Sequence, residues 1–197
     1  MPSSARTPSL KGQVLTCLLF VALAVVITAA LHPDPTFSKW QVGLLLGTQL
    51  TAGAVFAALC SLGAAIALKI PRLRRAVPVP DALRSIDLSG ARPWLIGFCA
   101  GIGEELLFRA ALQPLLGLWL GAVIFAAAHA RTAAVGSTSS WKRGAYLLHV
   151  GIAGVFLGLV FEHLGLIAAI LVHATVDVTG LLFYRSLSVG RAAQSAA

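Results

Sequence analysis

The sequence predicts an all-α fold: a polytopic membrane bundle of about six transmembrane helices around an interior polar site. Three observations predict it. Of 197 residues, 58% are hydrophobic and only 11% charged, with a mean hydropathy of +0.88; a soluble domain carries about 25% charge. Apolar runs of membrane-spanning length recur along the chain, separated by segments bearing Arg and Lys. Each run is too long for a strand and lacks the alternation of a barrel, so its backbone must satisfy itself as helix.

The spans are read in order. The first covers 12–31 and is uncharged. A signal peptide is the competing reading, since Arg6 and Lys11 precede it and small residues follow near Ala30. Its 20 apolar residues exceed the usual core of about 7–15, which favours a retained span. The second span, 40–68, lies between Lys39 and Lys69 and is long enough to cross with tilt. The third covers 93–113 and ends at Pro114; the fourth starts near Gly117 and runs past His129. The fifth and sixth cover 145–162 and 164–185. Residues 1–92 therefore form two spans plus a basic linker, 93–185 a helical core, and 186–197 a tail. The linker PRLRRAVPVPDALRSIDLSG contains Pro and is partly amphipathic, as a short interfacial helix would be.

The net charge of +8 does not point to nucleic acid. Lys69, Arg72, Arg74, Arg75, Arg84 and Arg92 lie in one inter-helix stretch. Such clusters set topology and meet anionic headgroups. Alternate loops are basic, which places both termini and the 69–92 stretch on the cytoplasmic side. The expected location is integral to a membrane, a prokaryotic plasma membrane. Cys17, Cys60 and Cys99 fall within apolar runs without paired metal spacing and read as small buried hydrophobes. Trp40, Trp94 and Trp141 stand near span ends, as interface anchors do.

Charge at bilayer depth costs a few kcal/mol per residue even on lenient scales. The chain nevertheless concentrates ionisable groups at three places within its spans. GEELLFR carries Glu104, Glu105 and Arg109; FAAAH carries Phe125 and His129; HATVD carries His173 and Asp177. Glu105–Arg109, Phe125–His129 and His173–Asp177 are each spaced i, i+4 and share a helix face. In lipid these stripes turn inward, toward one another. Gly97 and Gly101 form a GxxxG pattern in phase with Glu105, and Ala126, Ala127 and Ala128 precede His129, so backbones can approach closely here. Glu104 lies 12 residues after Arg92 and His173 lies 12 before Arg185, about 18 Å from either anchor and near mid-membrane. His129 fits less well. Counted from a turn at Pro114 it stands about 7 Å nearer the cytoplasm than Glu104, and Arg131 must snorkel or face a wet cavity.

Carboxylates and imidazoles in a buried, partly wet pocket suit amide hydrolysis. A glutamate can take a proton from water, a neutral histidine can orient that water or hold a metal, and a second histidine can stabilise an oxyanion. Glu104, His129 and His173 are acceptable zinc ligands, yet no HExxH occurs. A divalent metal and a metal-free glutamate mechanism both stay open. The order EExxxR, FxxxH, HxxxD on successive hydrophobic helices resembles the CPBP intramembrane protease family, which includes CAAX prenyl proteases and bacteriocin-processing or self-immunity proteins. The likeness spans 93–185. It implies that Glu104 with His129 activates water, that His173 and Asp177 support the oxyanion, and that Glu105 and Arg109 brace the site. The family often has Asn where this chain has Asp177, and an ionised Asp cannot donate to an oxyanion.

Bland readings stand beside these. Glu105–Arg109 can be a purely structural ion pair. His149 belongs to no motif, Glu162 and His163 read as a solvated pair at an outer turn, and His32 and Asp34 as loop. A small proton-coupled carrier is a rival class, since intramembrane acids and histidines also build relays; the size and the lack of repeated halves oppose it. A catalytically silent immunity or binding protein is the other rival, and three intact motifs oppose that. The expected partners are the bilayer and a membrane-anchored protein or peptide: a prenylated C-terminal peptide, a bacteriocin leader or a sorting tail.

Overall fold

A computed structural model describes residues 10–32, 43–72, 86–130 and 140–195, with side chains as far as 186. The described chain is helical. Helix α1 is Leu10–Leu31, α2 Leu46–Lys69 and α3 Arg92–Glu104. A π-helical segment, Glu105–Leu112, follows directly and leads into α4, Gln113–Ala128. Helices α5, Ser140–His163, and α6, Leu166–Ser195, complete the bundle. Among the described residues the only strand-like pairing is a single bridge between Gly43 and Gly165.

Five helical stretches are long and apolar enough to cross a membrane. The difference from six lies in Arg92–Ala128, which counts as one stretch of 37 residues although two spans were expected there. It does not run straight. Gly117 has φ 76° and ψ 169°, a left-handed conformation that glycine adopts without a Cβ clash. Glu104 and His129 are 25 positions apart, about 37 Å on a straight helix, yet their side chains approach to 3.7 Å. The chain therefore doubles back at Gly117. Pro114 was expected to end the third span. The helical path instead continues through it to the reversal at Gly117.

Helix α6 packs against α2 and α3, α4 lies along α5, and α1 covers α3 and the π-helical segment. Small residues on α6 permit this: Ala168, Ala169 and Ala174 are fully buried. The expected GxxxG surface is one face of this packing. A Cβ at Gly101 would lie 2.9 Å from the Ala174 Cβ and 3.1 Å from the Ile170 carbonyl, and one at Gly97 would lie 2.6 Å from a Val178 methyl. Gly101→Ala is therefore expected to cost about 1–3 kcal/mol by overpacking, read as a lower melting temperature in detergent. A fall in activity should accompany it, because α3 carries Glu104 and α6 carries His173.

Outward faces are apolar, with Leu15, Leu18, Leu45, Val55 and Leu59 at least 60% exposed. This is the surface a bundle turns to acyl chains. Trp94 and Trp141 are exposed near helix starts, in keeping with interface anchors. At one end of the bundle Arg185 donates to the Gly90 carbonyl (3.0 Å), and Arg92 pairs with Asp87. The start of α3 and the late turns of α6 therefore lie together. Trp40, Asp34, Arg131 and most of the linker with its expected interfacial helix fall outside the described residues.

Two loop readings change. His32 is buried, and its Nε2 donates to the Ala111 carbonyl at 2.8 Å. That carbonyl lies on the segment distorted by the π turn and Pro114, and it needs an outside donor. Glu162 accepts from Gln113 Nε2 at 2.9 Å rather than pairing with His163. His149 is exposed on α5, away from the cluster, as expected.

Candidate active site

The three polar stripes meet in the bundle interior. The first begins where α3 passes into the π-helical segment. Six of that segment's eight residues are buried, including Glu105, Phe108 and Arg109. An ordinary helix of this length buries one stripe. Here α1, α4 and α6 close on the segment from several sides, and π-helical insertions concentrate at functional sites.

Glu105 (0% exposed) and Arg109 (1%) form an ion pair, with Arg109 Nε 3.2 Å from Glu105 Oε2. The guanidinium is not aligned for a formal hydrogen bond to that oxygen, so attraction between whole charges holds the pair. Its Cζ also stands 4.6 Å from the centre of the Phe125 ring, within cation–π range. Phe125 in turn packs edge-on against Phe108, centroids 5.0 Å apart. The other Glu105 oxygen, Oε1, accepts from His173 Nδ1 at 2.8 Å. Arg109, Glu105 and His173 thus form a line in which the carboxylate fixes which face of the imidazole turns outward. The two charges balance each other in the interior, and either alone would be buried without a counter-charge.

Glu104 faces the other way. Its Oε2 makes no hydrogen bond to a described residue and stands 3.7 Å from His129 Nε2 and 3.9 Å from His173 Nε2. His129 caps the end of α4, and its Nδ1 donates to the Phe125 carbonyl at 2.8 Å. A carbonyl only accepts, so Nδ1 carries the proton and, in the neutral ring, the Nε2 lone pair points at Glu104. The depth mismatch expected for His129 vanishes for a simple reason. The reversal lies at Gly117, 13 residues after Glu104 and 12 before His129. The offset is one residue, about 1.5 Å.

Asp177 sits at the mouth, 42% exposed, with Oδ2 3.6 Å from His173 Nε2. Glu104, Glu105, Arg109, Phe125, His129, His173 and Asp177 therefore gather in one cluster, with no member splayed toward lipid. The i, i+4 spacings could show each pair. They could not show the π turn, the Phe125–Arg109 contact or the His32 bond, which depend on distant segments.

Glu104, His129 and His173 are donors of types that bind divalent metals. Their geometry does not close around an ion: among the described residues no group of three or more His, Cys, Asp or Glu side chains could hold one.

A bundle of membrane-length helices enclosing paired acids and imidazoles defines an integral membrane protein with a buried polar site. Residues 90–179, which contain every member of the cluster, match the family described as type II CAAX prenyl endopeptidase, Rce1-like. The match covers the part of the chain whose motifs resemble CAAX proteases. No curated protein and no solved structure matches the chain.

Proposed function

We propose that this chain hydrolyses a peptide bond of a membrane-anchored protein with a water activated by Glu104 and His129. The observation that supports it best is the facing of Glu104 Oε2 and His129 Nε2 across 3.7 Å in a pocket whose other wall is His173. Both facing atoms accept hydrogen bonds. One water between them gives a hydrogen to each, and its lone pair is left aimed away from both acceptors. A carbonyl carbon in that direction is positioned for attack.

Water oxygen then bonds to the carbonyl carbon as Glu104 takes the proton. The carbonyl oxygen gains the charge, and a proton on His173 Nε2 stabilises it. Glu104 returns its proton to the amide nitrogen, the C–N bond breaks, and a carboxylic acid and an amine leave. Glu105 holds His173 by Nδ1, and Arg109 holds Glu105 in place. Asp177, an acceptor at the mouth, orients His173 rather than donating to the oxyanion. No step requires a metal.

The family match favours a lipidated C-terminal peptide as substrate over a bacteriocin leader or sorting tail. The basic ends of α3 and α6, joined by the Arg185–Gly90 contact, support a site reached from the cytoplasmic side. Membranes containing the chain, mixed with an internally quenched farnesylated CAAX peptide, are expected to release its C-terminal fragment. Membranes lacking the chain should leave it intact. Equal rates in the two preparations would remove this reading.

A further inference from the structure

The oxyanion of the proposed reaction is short of donors. Glu104 and Asp177 are carboxylates, His129 offers a lone pair, and Arg109 is turned to Glu105 and Phe125. Of these described side chains His173 alone can donate, and tetrahedral intermediates of acyl transfer are held by more than one donor in the best-organised sites.

Helix α5 brings another. It runs antiparallel along α4 in a register read from its glycines. A Cβ at Gly154 would lie 3.2 Å from the Phe125 ring and 3.4 Å from Ala122, and one at Gly151 would lie 3.8 Å from Ala126. Val150 and Tyr146 continue the Gly154 face at successive i−4 steps. One turn beyond Val150, Tyr146 is therefore level with the His129 end of α4. It is partly buried and packs on the apolar cluster that holds Phe108 and Phe125. Its phenol is near enough to interact electrostatically with Glu104 and Asp177, the acids that stand 3.9 and 3.6 Å from His173 Nε2. Among the described residues its hydroxyl makes no hydrogen bond. A half-buried phenol ordinarily finds a partner.

We infer that Tyr146 is a catalytic residue, donating its O–H to the oxyanion alongside His173. The inference rests on the proposed peptidase reading. A phenol suits the place because it donates without adding charge beside two carboxylates, and its ring is anchored by packing rather than by a competing hydrogen bond. No motif marked it, since a lone Tyr in an apolar span reads as core.

The test uses the full chain in membranes with the farnesylated quenched peptide. Tyr146→Phe keeps the ring and removes only the hydroxyl. It is expected to lower kcat about 10²-fold or more, the usual effect of losing one oxyanion donor, with KM and melting temperature unchanged. Adding Asp177→Asn, which puts an amide donor at the same mouth, should restore about tenfold of that loss. Tyr146→Phe at wild-type kcat, a deficit confined to KM, or no recovery in the double variant would overturn the inference. Glu104→Ala in parallel separates the two levels. Full activity of that variant, or a wild-type chain that leaves the peptide intact, removes the peptidase reading and the inference with it. An inactive Glu104→Ala beside a fully active Tyr146→Phe removes only the role of Tyr146.

Discussion

Glu104→Ala is expected to abolish cleavage while leaving the bundle intact. In the proposed mechanism Glu104 takes the proton at attack and returns it at bond breaking, and one positioned general base contributes about 10²–10⁴-fold. Serving both steps, its loss should fall at the upper end of that range in kcat. Stability should barely move. Glu104 is 17% exposed and its inward oxygen bonds no described residue, so no partner is stranded by its removal. A single-turnover assay with the quenched peptide, beside a melting curve in detergent, checks both halves. Wild-type cleavage by this variant would end the mechanism. A collapsed melting curve would show that Glu104 holds the helices together rather than working on substrate.

Arg109 should behave in the opposite way. Its removal leaves the Glu105 carboxylate, 0% exposed, without a counter-charge, and breaking a buried pair costs about 3–5 kcal/mol. Arg109→Leu is expected to fold poorly or melt far lower than wild type. Arg109→Lys should rescue only part of this, because the planar guanidinium lies against the Phe125 ring in a way that an ammonium does not reproduce. Replacing both members, Glu105→Leu with Arg109→Leu, removes two buried charges together and is expected to restore most of the stability. That double variant also distinguishes two roles. If the pair is only structural, a stable double variant should cleave normally. If Glu105 holds His173 through the 2.8 Å contact to Nδ1, the stable double variant should remain slow.

These expectations diverge because adjacent glutamates occupy opposite environments. Nothing in the EE dipeptide shows which residue is the brace and which the base. The i, i+4 spacing to Arg109 assigned Glu105 its partner, and elimination left Glu104 for chemistry. The π turn then made the division sharp by carrying Glu105 wholly inward while Glu104, the last residue of α3, stays at the pocket. The i, i+4 pairs within a motif were legible because helix geometry fixes such neighbours locally. The spans were legible because a lipid solvent permits little besides long apolar helices.

Contacts between segments were less legible. A turn placed at Pro114 put His129 out of reach of Glu104, and three residues' displacement of the reversal to Gly117 brought it level. Proline is the more conspicuous helix breaker, but the helical path continues through Pro114, and it is the positive-φ backbone accepted by Gly117 that reverses the chain. His32, taken for loop, serves a carbonyl 79 positions away, and a bond over that distance leaves no local pattern.

The sequence by itself determined the all-α membrane architecture, the three polar stripes and the residues in them, because hydropathy and helical period act over a few turns. Only the tertiary structure decided where the chain reverses, that residues 105–112 wind as a π-helix, and that Tyr146 packs on the cluster holding Phe108 and Phe125. Those outcomes depend on how Ala- and Gly-lined helix faces fit against one another, and that fit is a property of the packed bundle rather than of any one segment.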